Sequence, residues 1–185
     1  GNYNFPELYT TMLCMATTSS FIFRNLISLL DYSNQKTIPL EEEVEYLKNY
    51  VGLQNMRFGD KVKFEIDYPQ EYVQNILIPP MIIQPLIENV FVHAFSNESI
   101  NPILQVNIYL LEAIAAANTL FVDVKDNGVG KSKKKINNHL SKGLSIVQER
   151  LQLINKTNKS SIELEYINIE DINPKSSGTK IRLKL

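Results

Sequence analysis

The apolar positions of this chain change period several times. From about Glu7 to Tyr32 they recur at helical spacing, with Met12, Met15, Leu26, Ile27 and Leu30 among them. Ser33-Asn34-Gln35-Lys36 then reads as a linker. A second helix starts near Pro39, where proline suits a first turn, and Glu41, Glu42 and Glu43 complement its dipole. Leu40, Val44, Leu47 and Val51 form its buried stripe, and it ends around Arg57-Phe58-Gly59. Val62, Phe64 and Ile66 then alternate with Lys61, Lys63 and Glu65, the pattern of a half-buried strand.

Pro79-Pro80 is read as opening a third helix that runs to about Phe95, with Pro85 kinking it or delaying its regular start. A hairpin follows, Leu104–Leu111 and Leu120–Asp126, joined around Ala115–Asn118. A loop rich in Gly, Lys, Ser and Asn covers Gly128–Ser141. A fourth helix, about Gly143–Asn155, carries Leu144, Val147, Leu151 and Ile154. Ser161–Tyr166 and Thr179–Leu185 close the chain as strands.

Helices interspersed with an antiparallel hairpin predict an α+β fold, a mixed sheet with helices packed on one face. The two parts expected are a helical segment over 1–36 and an α/β domain over 37–185. There are too few βαβ units for a doubly wound nucleotide fold, and no GxxxxGK[ST] loop. A nucleotide site must be built another way.

Composition narrows the classes. Apolar residues make up 44% and charged residues 21%, enough for a sizeable core. A net charge of −1 gives no global attraction to nucleic acid or to an anionic membrane. One cysteine, Cys14, excludes an intrachain disulfide and fits a reducing compartment. One Cys and two distant histidines make a structural zinc site a poor fit. No apolar run approaches the ~18 residues that span a bilayer, and there is no signal-peptide pattern. If the parent protein is membrane-bound, its anchor is expected outside this chain.

Period two places Leu120, Val122, Val124 and Asp126 on one strand face and Phe121, Asp123 and Lys125 on the other. Asp126 thus ends an apolar face, where an unpaired carboxylate is costly. Asn127-Gly128-Val129-Gly130 follows, and its glycines permit tight turning and close approach to a ligand. A buried acceptor beside such a turn suits the amine of a ring like adenine. An Asp-Asn-Gly turn that merely caps the strand explains the same residues and is the commoner use.

On the third helix Asn89 and His93 share a face, and Glu88 points about 100° away. The Asn oxygen can serve a hard cation such as Mg²⁺, which keeps waters and binds phosphates. A solvated helix edge is the plain alternative for Glu88 and Asn89, and taken alone a partly buried, hydrogen-bonded histidine is the better account of His93. Ser141-Lys142-Gly143-Leu144 opens the fourth helix, whose free N–H groups can meet an anion. The lysines at 131, 133, 134 and 135 can shield phosphates or simply be solvated. Ser177-Gly178-Thr179 leads into the last strand and can place a hydroxyl near the same pocket.

In this order the segments resemble the four nucleotide-binding boxes of the GHKL superfamily, and among its members the LytS/YehU-like sensor histidine kinases. Gln84-Pro85-Leu86-Ile87-Glu88-Asn89 resembles that group's N box, QPLVENAIKHG, and Asp126-Asn127-Gly128-Val129-Gly130 its G1 box. Lys142-Gly143-Leu144, continuing to Glu149-Arg150-Leu151, is similar to its G2 segment, and Gly178-Thr179 to its closing GT. Upstream, Pro39 to Gly59 is similar to the stretch before the N box, so the resemblance runs from roughly Leu29 to Leu185.

The resemblance implies a Bergerat-type α/β sandwich that binds ATP with Mg²⁺ and passes the γ-phosphoryl group to a histidine outside this chain. Asn89 would hold Mg²⁺; Glu88 beside it, the other candidate catalytic residue, could orient a water or the acceptor, or only hold the helix. Asp126 would accept from the adenine amine, and Thr179 would support that contact through water. Gly128 and Gly130 would allow the nucleotide's approach and a mobile lid. Lys142, Gly143 and Leu144 would meet the phosphates, and His93 would be a phosphate-side or structural residue. It further implies a homodimer formed through the helical segment, part of a dimerisation hairpin, and a response regulator as acceptor. The domain would be cytoplasmic, in a parent anchored in the inner membrane.

Four departures bear on this. Val92 stands where the group commonly has Lys, Ala94 where it has Gly, and Ser141 where a G2 glycine is common. No NPHFLFN-like phosphoacceptor motif surrounds His93 or His139, so the accepting histidine is expected before Gly1. ATP-hydrolysing relatives carry a general-base Glu one turn before the Asn; here that position is Pro85, which favours phosphotransfer over hydrolysis. The rival readings are a degenerate, non-catalytic signalling module that binds nucleotide or a partner, and a serine kinase of the anti-sigma type.

Overall fold

The computed structural model describes residues 37–96, 99–111, 119–128, 142–158, 161–172 and 176–185. The expected N-terminal helix, its linker, the connector at 115–118 and most of the lysine-rich loop, with Gly130, Ser141 and His139, lie outside the described residues.

Strand β1 (Ile38–Pro39) runs straight into helix α1 (Leu40–Arg57). Pro39 at the helix start leaves no side-chain cap. The N–H groups of Leu40 and Glu41 instead donate to the carbonyls of Ile76 and Val73, at 2.8 and 3.3 Å. Leu40, Val44, Leu47 and Val51 are all buried, as their helical spacing requires. Just after those carbonyls, β3 (Leu77–Ile78) pairs antiparallel with β1, with Ile38 opposite Ile78.

Helix α2 covers Gln84–His93 and does not begin at Pro79-Pro80 as the sequence suggested. Proline fits both a turn and a first helical turn, and here the first pair lies between β3 and the turn at Met81. Pro85 sits in the first turn of α2, where its missing N–H leaves no helical bond unmade.

The main sheet has the order β2-β4-β5-β7-β6, formed by β2 (Lys63–Asp67), β4 (Ile103–Leu111), β5 (Thr119–Asp126), β6 (Glu163–Asn168) and β7 (Thr179–Lys184). β2 is parallel to β4 and every other pairing is antiparallel, so the sheet is mixed. Leu104, Val106, Ile108, Leu120, Val122, Val124, Ile181 and Leu183 are buried on one face. Helices α1, α2 and α3 (Lys142–Asn158) contribute Leu47, Leu86, Ile87, Val90, Val147 and Leu151 to the same core. A short helix, α4 (Ile169–Ile172), joins the β6–β7 connection.

The opposite face mixes charged and aromatic side chains, with Tyr109 stacked on Phe121 at 5.5 Å. Asp123 is clamped there by Arg182 at 2.8 Å and Lys180 at 2.7 Å. The residues of this ladder alternate with those of the core, as period two demands.

Two helix-to-strand junctions use the same device. The side-chain amide of Asn55 pairs with both backbone groups of Val62, at 2.9 and 3.0 Å. Asn155 does the same with Ile162, at 2.8 and 2.9 Å. Each asparagine satisfies a loop backbone that neither helix nor sheet can reach. Among the described residues, no helix is long and apolar enough to cross a membrane.

Candidate functional site

The alternation of β5 delivers Asp126 to the buried end of its apolar face, 2% exposed. Its carboxylate accepts from the Gly128 N–H at 2.9 Å on one oxygen and from the Thr179 hydroxyl on the other. Burial raises the Asp126 carboxyl above the ordinary aspartate range, and the bonds from Thr179 and Gly128 pull it partly back. The Tyr166 phenol lies close by, pushed up to about 12 by burial and by the Asp126 charge.

Two glycines make this corner possible. Gly178 has φ +114, and a Cβ there would lie 2.0 Å from the Asp126 carbonyl oxygen. A Cβ on Gly128 would lie 2.3 Å from the carbonyl oxygen of Ala94, the residue that ends α2. Backbone touches backbone at both points, so β5, β7 and the end of α2 meet around Asp126. Asn127 locks the neighbouring strand, accepting from Ile103 N–H at 2.7 Å and donating to the Asn101 carbonyl at 2.9 Å.

Along α2, Asn89 is half-buried and His93 is exposed. Glu88, also half-buried, accepts a hydrogen bond from the Gln84 side chain, and burial pushes its carboxyl up. The buried Tyr50 of α1 is close enough that the Glu88 charge adds to burial in raising its phenol. Val92 faces solvent, 68% exposed. Lys142, Gly143 and Leu144 open α3, which packs along α2. The structure therefore gathers Asp126, Gly128 and Thr179 into one constellation. Asn89 and His93 lie on the helix that ends against it. A cleft of about 350 Å³ beside Asp126 is walled by Gln105, Lys125, Asn127, Ile169, Ser176 and Ser177; Asn89 and His93 are not among its walls.

Sequence reasoning missed the residue that anchors α2. By its position among three glutamates at a helix start, Glu43 predicts only an acidic complement to the dipole of α1. It is 1% exposed, and its carboxylate accepts from the N–H groups of Met81 at 2.8 Å, Ile83 at 3.0 Å and Gln84 at 3.4 Å. The signal was present: Glu43 lies three residues after Leu40 and four before Leu47, on the buried stripe itself. Asp123, on the strand face opposite Asp126, is another buried carboxylate. Burial alone would raise it, but Arg182 and Lys180 hold it below the ordinary range.

A family model described as Histidine kinase matches residues 9–62. The likeness thus reaches further toward the N-terminus than Leu29, and it straddles the boundary expected near residue 36. Sensor protein kinase HptS of Staphylococcus aureus (strain USA300) is 34% identical over 118 residues, which cover 62% of this chain and 21% of that protein. The chain thus spans about a fifth of that relative's length. Among solved structures, the histidine kinase domain from the Erythrobacter litoralis EL346 blue-light activated histidine kinase superposes with a TM-score of 0.50 at 21% identity, covering 82% of this chain and 62% of that one. The catalytic domain of histidine kinase ThkA superposes with a TM-score of 0.53 at 12% identity, covering 80% of this chain and 92% of that one. At such identities the superpositions speak for the fold alone. The family model and HptS thus show a likeness to sensor histidine kinases, and the superpositions show that the sheet-and-helix part has the fold of a histidine kinase catalytic domain.

Proposed function

We propose that this chain binds Mg-ATP between α2, the end of β5 and the start of α3, and transfers the γ-phosphoryl group to a histidine outside the chain. The observation that carries the reading is the corner at Asp126. Gly128 and Thr179 each donate to its carboxylate, and Gly128 packs directly on the end of the helix that bears Asn89.

The residues fit the ligands. An ionised carboxylate has about four lone-pair sites, so Asp126 retains capacity for the adenine amine beyond the bonds it makes within the chain. Thr179 supports that contact from β7, through water. Among the described residues, no three His, Cys, Asp or Glu side chains converge on a metal site. Mg²⁺ takes few protein oxygens and completes its shell with phosphate and water. The side-chain oxygen of Asn89 is the protein donor in this scheme. The metal supplies charge neutralisation on the phosphates.

The start of α2 is filled by the Glu43 carboxylate, so phosphates are directed to the N-terminus of α3, at Lys142, Gly143 and Leu144. Gly128 and Gly130 allow the close approach of the nucleotide. His93 lies toward the phosphates on the Asn89 face. Glu88, with its raised carboxyl, orients the incoming imidazole. That nitrogen forms the new N–P bond as the bond to the ADP oxygen breaks, a reaction that rests on positioning and electrostatics. For the parent protein, the same reading includes a dimer built through residues 1–36, a response regulator as final acceptor and a membrane anchor outside this chain.

Phosphate incorporation into the longer parent tests the reading. Acid-labile, base-stable label that disappears with Asn89→Ala supports it. No incorporation, alongside intact nucleotide binding, leaves the non-catalytic module as the better account. Base-labile, acid-stable label points to a serine kinase.

A further inference from the structure

We infer that Glu43 is the positioning residue of this site, setting the placement of Asn89 from the opposite end of α2; the inference rests on the ATP reading above. Glu43 belongs to α1, yet its partners lie 38 to 41 residues further on, in the turn and first residues of α2. Both carboxylate oxygens are engaged, and all three partners are N–H donors, which is the set an ionised carboxylate matches. A negative group at this position also complements the positive end of the helix dipole.

The geometry being held is not one the turn adopts by itself. Met81 has φ 55, in the left-handed region where a side chain with a Cβ is disfavoured. Its N–H donates to Glu43 Oε2 at 2.8 Å, so the buried carboxylate fixes the strained residue. Ile83 and Gln84, bonded to the other oxygen, are the cap and first residue of α2. Asn89 lies five residues on, about one and a half turns along a rigid helix. The far end of that helix is fixed by Gly128 against Ala94. Glu43 therefore sets the height and rotation of α2 at one end and the adenine corner fixes it at the other. Without Glu43 the adenine side stays in place and the metal side loses its register.

This asymmetry gives a test that separates positioning from general destabilisation. The full chain and its Glu43→Gln and Glu43→Ala variants are titrated with a fluorescent ATP analogue, once with Mg²⁺ and once with EDTA. The gain in affinity that Mg²⁺ provides is expected to shrink by about tenfold in both variants, the scale of one lost charge-assisted hydrogen bond. Metal-free affinity is expected to stay within about twofold of the parent chain. Glu43→Gln keeps the size and one carbonyl oxygen, so it remains informative if Glu43→Ala does not fold. An undiminished Mg²⁺ gain overturns the proposal, as does an equal loss with and without metal. If the parent chain binds no nucleotide at all, the ATP reading fails, and amide hydrogen exchange with NMR of Glu43→Gln decides the positioning role. Lost protection at Met81, Ile83 and Gln84 with a shifted Asn89 side-chain amide supports it; no change at Asn89 refutes it.

Discussion

Replacing Thr179 by valine isolates the bond at the centre of the corner. The two side chains have nearly the same volume, so the change deletes a hydroxyl without opening a cavity. What it removes is the hydroxyl donor to Asp126 Oδ2, leaving the backbone bonds to that carboxylate, from the Gly128 N–H at 2.9 Å and from the Thr179 N–H, in place. A hydrogen bond to a charged group contributes about 1.5–3 kcal/mol, and at 2% exposure water does little to replace it. For a chain of this size that corresponds to a fall in Tm of roughly 3–12 °C. The pH dependence has a definite sign. Burial raises the Asp126 carboxyl, so this group favours folding most at low pH, and that contribution is lost as pH rises through its folded value. The Thr179 bond favours the ionised form, so Thr179→Val raises the carboxyl further. The deficit is therefore small in acid, widens as pH rises through the Asp126 value, and is complete above it. Thermal and denaturant unfolding of the parent chain and variant across this range provide the assay. The same substitution in an Asp126→Asn background supplies the double-mutant cycle. A loss below about 0.5 kcal/mol at neutral pH, or an equal loss in both backgrounds, would refute the reasoning.

Gly128→Ala places a methyl 2.3 Å from the Ala94 carbonyl oxygen, a backbone neighbour that cannot turn aside. The expected cost is about 1–3 kcal/mol with weakened nucleotide binding, read by unfolding and titration; a neutral substitution would mean the corner is looser than described. Affinity for the ATP analogue should fall in acid with a midpoint above the ordinary aspartate range, because protonation of Asp126 removes the acceptor as pH drops through its raised value. A midpoint at or below that range counts against Asp126 as the adenine acceptor.

Much of this corner follows from period alone. Alternation along β5 puts Asp126 on the core side, and the structure buries it there. The stripe of α1 is equally plain, because helical spacing and burial coincide at Leu40, Val44, Leu47 and Val51. Tertiary acceptors are harder to read. Three consecutive glutamates at a helix start look like a dipole complement, and nothing local tells Glu43 from Glu41 and Glu42 except its place on the stripe. Its partners lie some 40 residues away in sequence. Pro79-Pro80 satisfies helix and turn alike, and the bonds from Met81, Ile83 and Gln84 to Glu43 that fix the start of α2 are again long-range. The pairing of β1 with β3 has the same character, two residues each with no periodic signal. The packing of Gly128 on Ala94 depends on how β5 approaches α2, which no sequence window contains.

In the proposed function, Asp126 and Asn89 form two walls of one Mg-ATP site. Titration of the chain with a fluorescent ATP analogue and Mg²⁺, repeated with Asp126→Asn and Asn89→Ala, tests it most directly. The parent chain should bind saturably. Asp126→Asn, which turns an acceptor toward donors, should weaken binding at least tenfold with or without metal, roughly one lost hydrogen bond to a charged group. Asn89→Ala should abolish the gain due to Mg²⁺. Absence of saturable binding at millimolar nucleotide, or affinity unchanged by both substitutions, contradicts the account.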